Sequence, residues 1–183
     1  AALNVRPQEP LGILLVVEAG VMVISAQDGV QVQTERIFDG MSEMAKPVIF
    51  VVNKLSKELV DFDRIFDSLV GAFGKNVVAV QYPIGQGPDF SGLVDIVEMK
   101  AYQFNADDKG ESKEIPIPEA LKDEVGLRRE ALLEKIAEND ETLMEKYFAA
   151  GALSPEEVRA GLKAALRQRN AFPVFDGGGN LVN

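Results

Sequence analysis

Two polar strings in this sequence each close an apolar run and hold the groups with which the chain would do chemistry. They are Asn53-Lys54-Leu55-Ser56 and Asp176-Gly177-Gly178-Gly179. Between them they offer amide, ammonium, hydroxyl and carboxylate groups to a ligand. The residue types behind most other chemistry are missing, because the chain has no histidine, no cysteine and no tryptophan. Without cysteine there are no disulfides, thiolate zinc sites or thiol nucleophiles. Without histidine, serine-histidine-acid triads and histidine-held metals are excluded as well. A triphosphate is held by G-x-x-x-x-G-K-[ST], whose glycines let backbone N–H groups face the phosphates while the lysine neutralises them. None of the 11 lysines is followed by serine or threonine, so this phosphate cradle is absent from the chain. Catalytic and metal-binding residues are therefore expected to be none.

The elements that would position the two strings follow from hydrophobic patterning. From Gly20 the chain runs Gly-Val-Met-Val-Ile-Ser-Ala without polar alternation, the pattern of a parallel strand buried on both faces. Ile37, Met41 and Met44 sit at helical spacing within 33–44, and Lys46-Pro47 stops that helix. Val48 to Val52 is a second apolar strand, and Phe62, Ile65, Phe66 and Leu69 mark a helix over about 62–73. Strand, helix, strand, helix is the rhythm of a parallel sheet. The pattern then changes. Val77 to Tyr82 reads as one short strand, Leu93 to Phe104 as one or two more, and Asn105 to Gly110 as a hairpin turn. Pro116 and Pro118 introduce a helical block in which residues from Leu121 to Phe148 form one apolar face, ended by Gly151. Glu130, Glu134, Glu138 and Glu145 form its solvated side. Ser154-Pro155-Glu156-Glu157 is a capping box that starts a helix to about Arg169, and Phe172 to Phe175 is a last strand. The expected fold class is α/β, a parallel sheet with helices that carries a small α+β insertion. Residues 1–75 and 153–183 form the sheet part and 76–152 the insertion.

The chain has 183 residues, 46% hydrophobic and 26% charged, a globular composition. Its net charge of -10 is spread evenly: residues 1–100 hold 8 basic and 13 acidic groups, and residues 101–183 hold 11 and 16. No basic patch dominates, so direct binding to a nucleic-acid backbone is not expected. The longest apolar run, Ile13 to Val17, is closed by Glu18, far short of the roughly 18 to 20 residues that cross a bilayer. Ala1 to Pro10 lacks a signal-peptide pattern, so a soluble cytoplasmic protein without a membrane partner is the expectation.

Ser25-Ala26-Gln27-Asp28-Gly29-Val30-Gln31-Val32-Gln33-Thr34-Glu35, followed by Lys46-Pro47-Val48-Ile49-Phe50-Val51-Val52-Asn53-Lys54, resembles the G domain of translation elongation factor G and its paralogues. Val80 to Gly85, Phe90 to Tyr102 and Asp140 to Phe148 are similar to the G′ insertion of that family. The resemblance implies a partial P-loop-GTPase-like sheet, GTP or GDP as ligand, and the ribosome and its stalk protein as partners, the stalk meeting the insertion's helices. It also implies roles for the first polar string. In the family motif N-K-x-D the asparagine ties loops together and contacts the base, the lysine stem packs on the purine, and the aspartate accepts two hydrogen bonds from guanine. Asn53 and Lys54 match, and Ser56 stands where the aspartate belongs. A hydroxyl in place of that charge-assisted pair should cost on the order of 2 to 4 kcal/mol of guanine preference.

Other family motifs are missing. The D-x-x-G-H expected just before residues 10–17 is replaced by Asn4 to Gly12, and no histidine exists to position a water. Asp89 to Gly92, Asp107 to Gly110 and Asp123 to Gly126 fit D-x-x-G but lie in the insertion. Asp176 to Gly179 also fits, and it stands where the family has a second base-contacting loop. Asp176 and Gly177 are thus candidate ligand contacts, against a plain glycine-rich loop. The resemblance further places the strands of Val21, Val48 and Pro173 side by side, with the Val21 strand an uncovered edge ready to self-associate. The expectation is an elongation-factor-G-like module unable to hydrolyse GTP alone. Two alternatives stand beside it: a nucleotide-binding protein completed by another chain, and an inactive scaffold or engineered fragment.

Overall fold

A computed structural model describes residues 17–104 and 111–177. Two four-stranded sheets and five α-helices make up these residues. The first sheet holds β1 (Gly20–Ser25), β2 (Val48–Asn53), β8 (Phe172–Gly177) and β3 (Val77–Ala79), in that order across the sheet. All three pairings are parallel, with Ser25 opposite Asn53 and Asn53 opposite Gly177. The fold class is the expected one: α/β, a parallel sheet with helices that carries a smaller α+β part. The second sheet is an antiparallel meander of β4 (Gln81–Ile84), β5 (Gly92–Asp95), β6 (Lys100–Phe104) and β7 (Ser112–Ile115). The hairpin turn expected at 105–110 lies outside the described residues.

One face of the parallel sheet carries the core. Met22, Ile24, Phe50, Val52 and Val174 point to the same side, as period-two alternation requires, and all are buried. Two helices cover them, α1 (Val32–Glu43) with Phe38 and Met41 and α2 (Phe62–Phe73) with Phe66, Leu69 and Phe73. Four aromatic rings meet there: Phe38 lies 4.4 Å from Phe73 and 5.3 Å edge-on from Phe172, and Phe50 lies 4.9 Å from Phe73. Rings at such separations add specific attraction to the area that they bury. On the opposite face Val21 and Val23 are 64% and 62% exposed. β1 is therefore the outer strand of the sheet among the described residues, with one apolar face uncovered.

The structure differs from the sequence expectation at Val77 to Tyr82. This run is two strands in two sheets, not one strand of the insertion. Val77–Ala79 pairs with β8 in the parallel sheet, and Gln81–Ile84 opens the meander. Val80 is the joint: its N–H donates to the Val174 carbonyl (3.1 Å), and its own carbonyl accepts from the Ile96 N–H (3.0 Å). The parallel sheet thus takes in residues that the sequence reading gave to 76–152.

The helical block also differs. It is two helices, α3 (Lys122–Ala137) and α4 (Glu141–Ala150), the second capped by Asp140, whose carboxylate accepts from the Thr142 and Leu143 N–H groups. Leu143 and Tyr147 of α4 pack against the same core as α3, as expected, but Phe148 does not. Val125, Leu132 and Ile136 of α3 are fully buried, whereas no residue of α4 is, and Phe148 is 80% exposed. The four glutamates of the block are exposed, as expected. The capping box forms as read, with Ser154 and Glu157 exchanging hydrogen bonds at the start of α5 (Pro155–Arg167). α5 lies close against α3 at Gly161, where a Cβ would come within 2.2 Å of Ile136 Cγ2.

Polar ties join the insertion to the sheet part. Asp63 at the start of α2 accepts from the Tyr82 hydroxyl (2.9 Å) and from the Arg128 guanidinium (2.9 Å), which also donates to Glu124 (2.7 Å) and stacks 4.3 Å over the Phe66 ring. Burial, and then the bond to Asp63, push the Tyr82 phenol well above its ordinary pKa. Arg129 donates to the carbonyls of Ile96 and Val97, holding the turn after β5 onto α3.

Candidate functional site

Loops leave a parallel sheet at the carboxyl ends of its strands, and ligands bind there in open α/β folds. Here that edge is set by Ser25, Asn53 and Gly177, level with one another by register. Asn53 ends β2, and its carbonyl accepts from the Ala26 N–H (2.8 Å), tying the β1 loop to it. Its side-chain Oδ1 accepts from the Lys54 N–H at 2.7 Å, so the amide turns back along its own loop. Lys54 is exposed and adopts φ 67, placing its ammonium stem outside the fold. Leu55 is fully buried, and Ser56 is half-buried behind it. Lys57 and Glu58 are exposed. Asp61 caps α2 by accepting from the Arg64 N–H (3.1 Å).

Gly177 lies beside Asn53, with space for a Cβ only at 3.4 Å from Asn53 Oδ1, and its carbonyl makes a long 3.5 Å contact with the Leu55 N–H. The structure therefore brings Asn53, Lys54, Ser56 and Gly177 to one strand-end cluster. Asp176 is placed differently. Its carboxyl is wholly buried, both oxygens lack a hydrogen-bond partner among the described residues, and its backbone N–H donates to Gln81 Oε1 (3.1 Å). Two residues beyond Val174 on the same strand, it points into the core face instead of toward a phosphate. Burial without a compensating partner raises its pKa well above the ordinary carboxylate range. Strand alternation alone held that signal, because residues 172, 174 and 176 share a side.

Sequence reasoning missed the residues that brace the cluster from the second sheet. Gln86 Oε1 accepts from the Phe62 N–H at 2.6 Å, and the Gly87 N–H donates to the Leu55 carbonyl at 2.8 Å. Nothing in their local pattern marks them, since they meet the loop only through the fold. The remaining D-x-x-G strings divide between known elements: Asp89 to Gly92 lies in the β4–β5 connection, and Asp123 to Gly126 in the first turns of α3. Asp107 to Gly110 and residues 178–179 lie outside the described residues. Among the described residues no group of three or more Asp and Glu side chains is placed to hold a metal ion, and no helix is long and apolar enough to cross a membrane.

A parallel sheet that ends in an Asn-Lys loop next to a glycine strand end, with a meander-and-helix insertion before its last strand, defines a GTP-binding domain of the translation-factor class. Residues 11–176 match the family model described as the elongation factor Tu GTP binding domain. The chain belongs to that family. It is similar to elongation factor G from Thermotoga neapolitana, 35% identical over 168 residues that cover 92% of this chain and 24% of the relative. The Thermotoga maritima elongation factor G is 37% identical over 164 residues, 90% of this chain and 24% of the relative. Among solved structures, the crystal structure of ttk003000868 from Thermus thermophilus matches with a TM-score of 0.81 at 30% identity, over 92% of this chain and 25% of that one. The chain thus spans about a quarter of the length of these relatives.

Two outcomes follow from the site geometry. Because the folded-state pKa of Asp176 lies above its unfolded value of about 3.9, the carboxyl adds no penalty below that pH, and stability falls as pH rises toward the folded value. Asp176→Asn should therefore raise the urea midpoint near neutral pH and flatten the decline that sets in as pH rises above the unfolded value, relative to the parent chain. Leu59, with φ 60 and a fully exposed side chain, gives up no packing when replaced. Leu59→Gly should stabilise the fold by about 0.5 to 1 kcal/mol in urea denaturation, the left-handed cost outweighing the added chain entropy.

Proposed function

We propose that this chain is the base-side part of the GTP-binding module of an elongation-factor-G-type protein, related to translation and acting with the ribosome. It does not hydrolyse GTP by itself. The reading rests on one observation: Asn53 and Lys54 stand at a parallel strand end level with Ser25 and Gly177, while Ser56 takes the place of the motif's carboxylate and no lysine is followed by serine or threonine. A purine would be met by the Lys54 stem and the Asn53 amide, with GTP or GDP weakly held. Asp176, buried and facing away, is not among the contacts in this reading, whereas Gly177 lines the cluster. The sheet part comprises residues 17–79 and 153–177, and the insertion runs from Gln81 to about 152. The cytoplasm is the compartment in which such a module would work.

The insertion supplies the protein-facing surface. The stalk-protein contact that this reading assigns to the insertion would fall on α3 and α4, where Leu127 and Phe148 are 62% and 80% exposed. The outer strand β1, with Val21 and Val23 exposed, favours pairing with a further strand, from a second copy when nothing else is supplied.

Restoring the missing carboxylate is the direct test of the base site. Ser56→Asp should tighten binding of guanine over adenine nucleotides by roughly 30-fold or more, measured by titration with fluorescent GDP and ADP. An unchanged ratio of the two affinities would remove the base-site reading. Self-association is checked by light scattering at micromolar concentration. A dimer that Val23→Lys returns to monomer supports edge pairing, and a parent chain that is already monomeric counts against it.

A further inference from the structure

We propose that Gln86 and Gly87, at the tip between β4 and β5, are positioning residues for the loop from Asn53 to Asp61. The proposal rests on the reading of that loop as the nucleobase site. The two residues reach the loop at both of its ends. At the far end, the Phe62 N–H belongs to the first turn of α2, where no helical carbonyl is available to it. Asp61 takes the Arg64 N–H, and Gln86 Oε1 takes the Phe62 N–H at 2.6 Å. At the near end, the buried Gly87 donates to the Leu55 carbonyl at 2.8 Å. Gly87 adopts φ +61, and a Cβ there would stand 3.3 Å from the Lys57 carbonyl oxygen. Only glycine lets the tip come this close.

Both partners of this contact are under constraint. The tip is a tight turn in which Gly85 has φ +73 and a Cβ on it would lie 2.0 Å from the Asp89 carbonyl oxygen, so it presents Gln86 and Gly87 from a fixed frame. The loop itself holds Lys54 and Leu59 at φ 67 and 60, conformations that cost about 1 kcal/mol or more each and persist only where the surroundings enforce them. Its own internal bond, the Lys57 N–H to the Lys54 carbonyl (3.0 Å), closes one turn, and beyond it Glu58 is met only by a long bond from the Gln27 side-chain amide to its carbonyl (3.5 Å) among the described residues. The Gln86 and Gly87 bonds, shorter than the 3.5 Å contacts from Gln27 to Glu58 and from Leu55 to Gly177, therefore fix the path of the loop at its two ends, and with it where Lys54 and Ser56 stand. The insertion is in this way part of the nucleobase site, through a hairpin bonded to the loop's backbone.

The test uses hydrogen exchange on the 183-residue chain. Gln86→Leu, which removes the acceptor, should speed exchange across Leu55 to Phe62 by about tenfold and leave α1 and β2 unchanged. Gln86→Glu keeps an acceptor and should restore protection, a rescue that simple loss of packing would not give. In a Ser56→Asp background, Gln86→Leu should also lower GDP affinity by about tenfold. If Ser56→Asp binds no guanine nucleotide, the base-site reading fails, while the exchange comparison still decides the brace. Equal protection in Gln86→Leu and the parent chain overturns the proposal, as does faster exchange spread evenly over the whole fold. Should Gln86→Leu fail to fold, Gly87→Ala carries the same comparison, with faster exchange expected at Leu55 to Lys57.

Discussion

The parallel register that sets Ser25, Asn53 and Gly177 in one row is the constraint on which the rest of this molecule depends. Over β1 and β2 it is enforced from one side, while at β3 and β8 Val78 and Pro173 are buried on the other face as well. Phe50, Val52, Met22, Ile24 and Val174 are buried against α1 and α2, and a slip of one residue in β1 or β2 would turn that strand's apolar set to the open face. The aromatic group of Phe38, Phe50, Phe73 and Phe172 draws on both helices and two of the strands, so the same contacts that bury area also hold the register. The loops that leave the level strand ends then start from fixed points. Asn53 ties to Ala26 on one side and lies against Gly177 on the other.

The insertion is not an appendage on this sheet. Val80 hydrogen-bonds to Val174 in one sheet and to Ile96 in the other, so the chain passes between sheets without an intervening turn. Asp63, Tyr82 and Arg128 join α2, β4 and α3 in a half-buried polar cluster in which each partner satisfies another. Leaving one of them unpaired there would cost more than the bond itself contributes, because the stranded group has been taken out of water. Together with the tip at Gln86 and Gly87, these ties couple the helices that present Leu127 and Phe148 to the loop that carries Asn53 and Lys54.

Against this order, Asp176 is an inconsistency of the kind that marks altered or special sites. A carboxyl in an apolar core with no partner among the described residues opposes folding at neutral pH, and those neighbours offer it nothing beyond the Gln81 contact to its backbone. The family fold survives it because the aromatic core and the register are built from other residues.

Local pattern along the chain was enough to locate the three long strands, the helices between them and the family. Continuous apolar runs with β-branched residues have few other outcomes, and the helical spacings of α1 and α2 are unbroken. The same pattern placed Asn53, Lys54 and Ser56, because a strand end is local. It did not divide Val77 to Tyr82 into two sheets, break the helical block into α3 and α4, or set Phe148 apart from the apolar face. It also left Asp176 beside the ligand when the fold puts it inside. Each of these depends on which partner strand or helix a residue meets. Val77 and Tyr82 are both buried, and only the choice between β8 and β5 separates them. The brace from Gln86 and Gly87 to a loop 24 residues or more away comes from the folded arrangement alone, since a glutamine and a glycine acquire that role from what is packed against them.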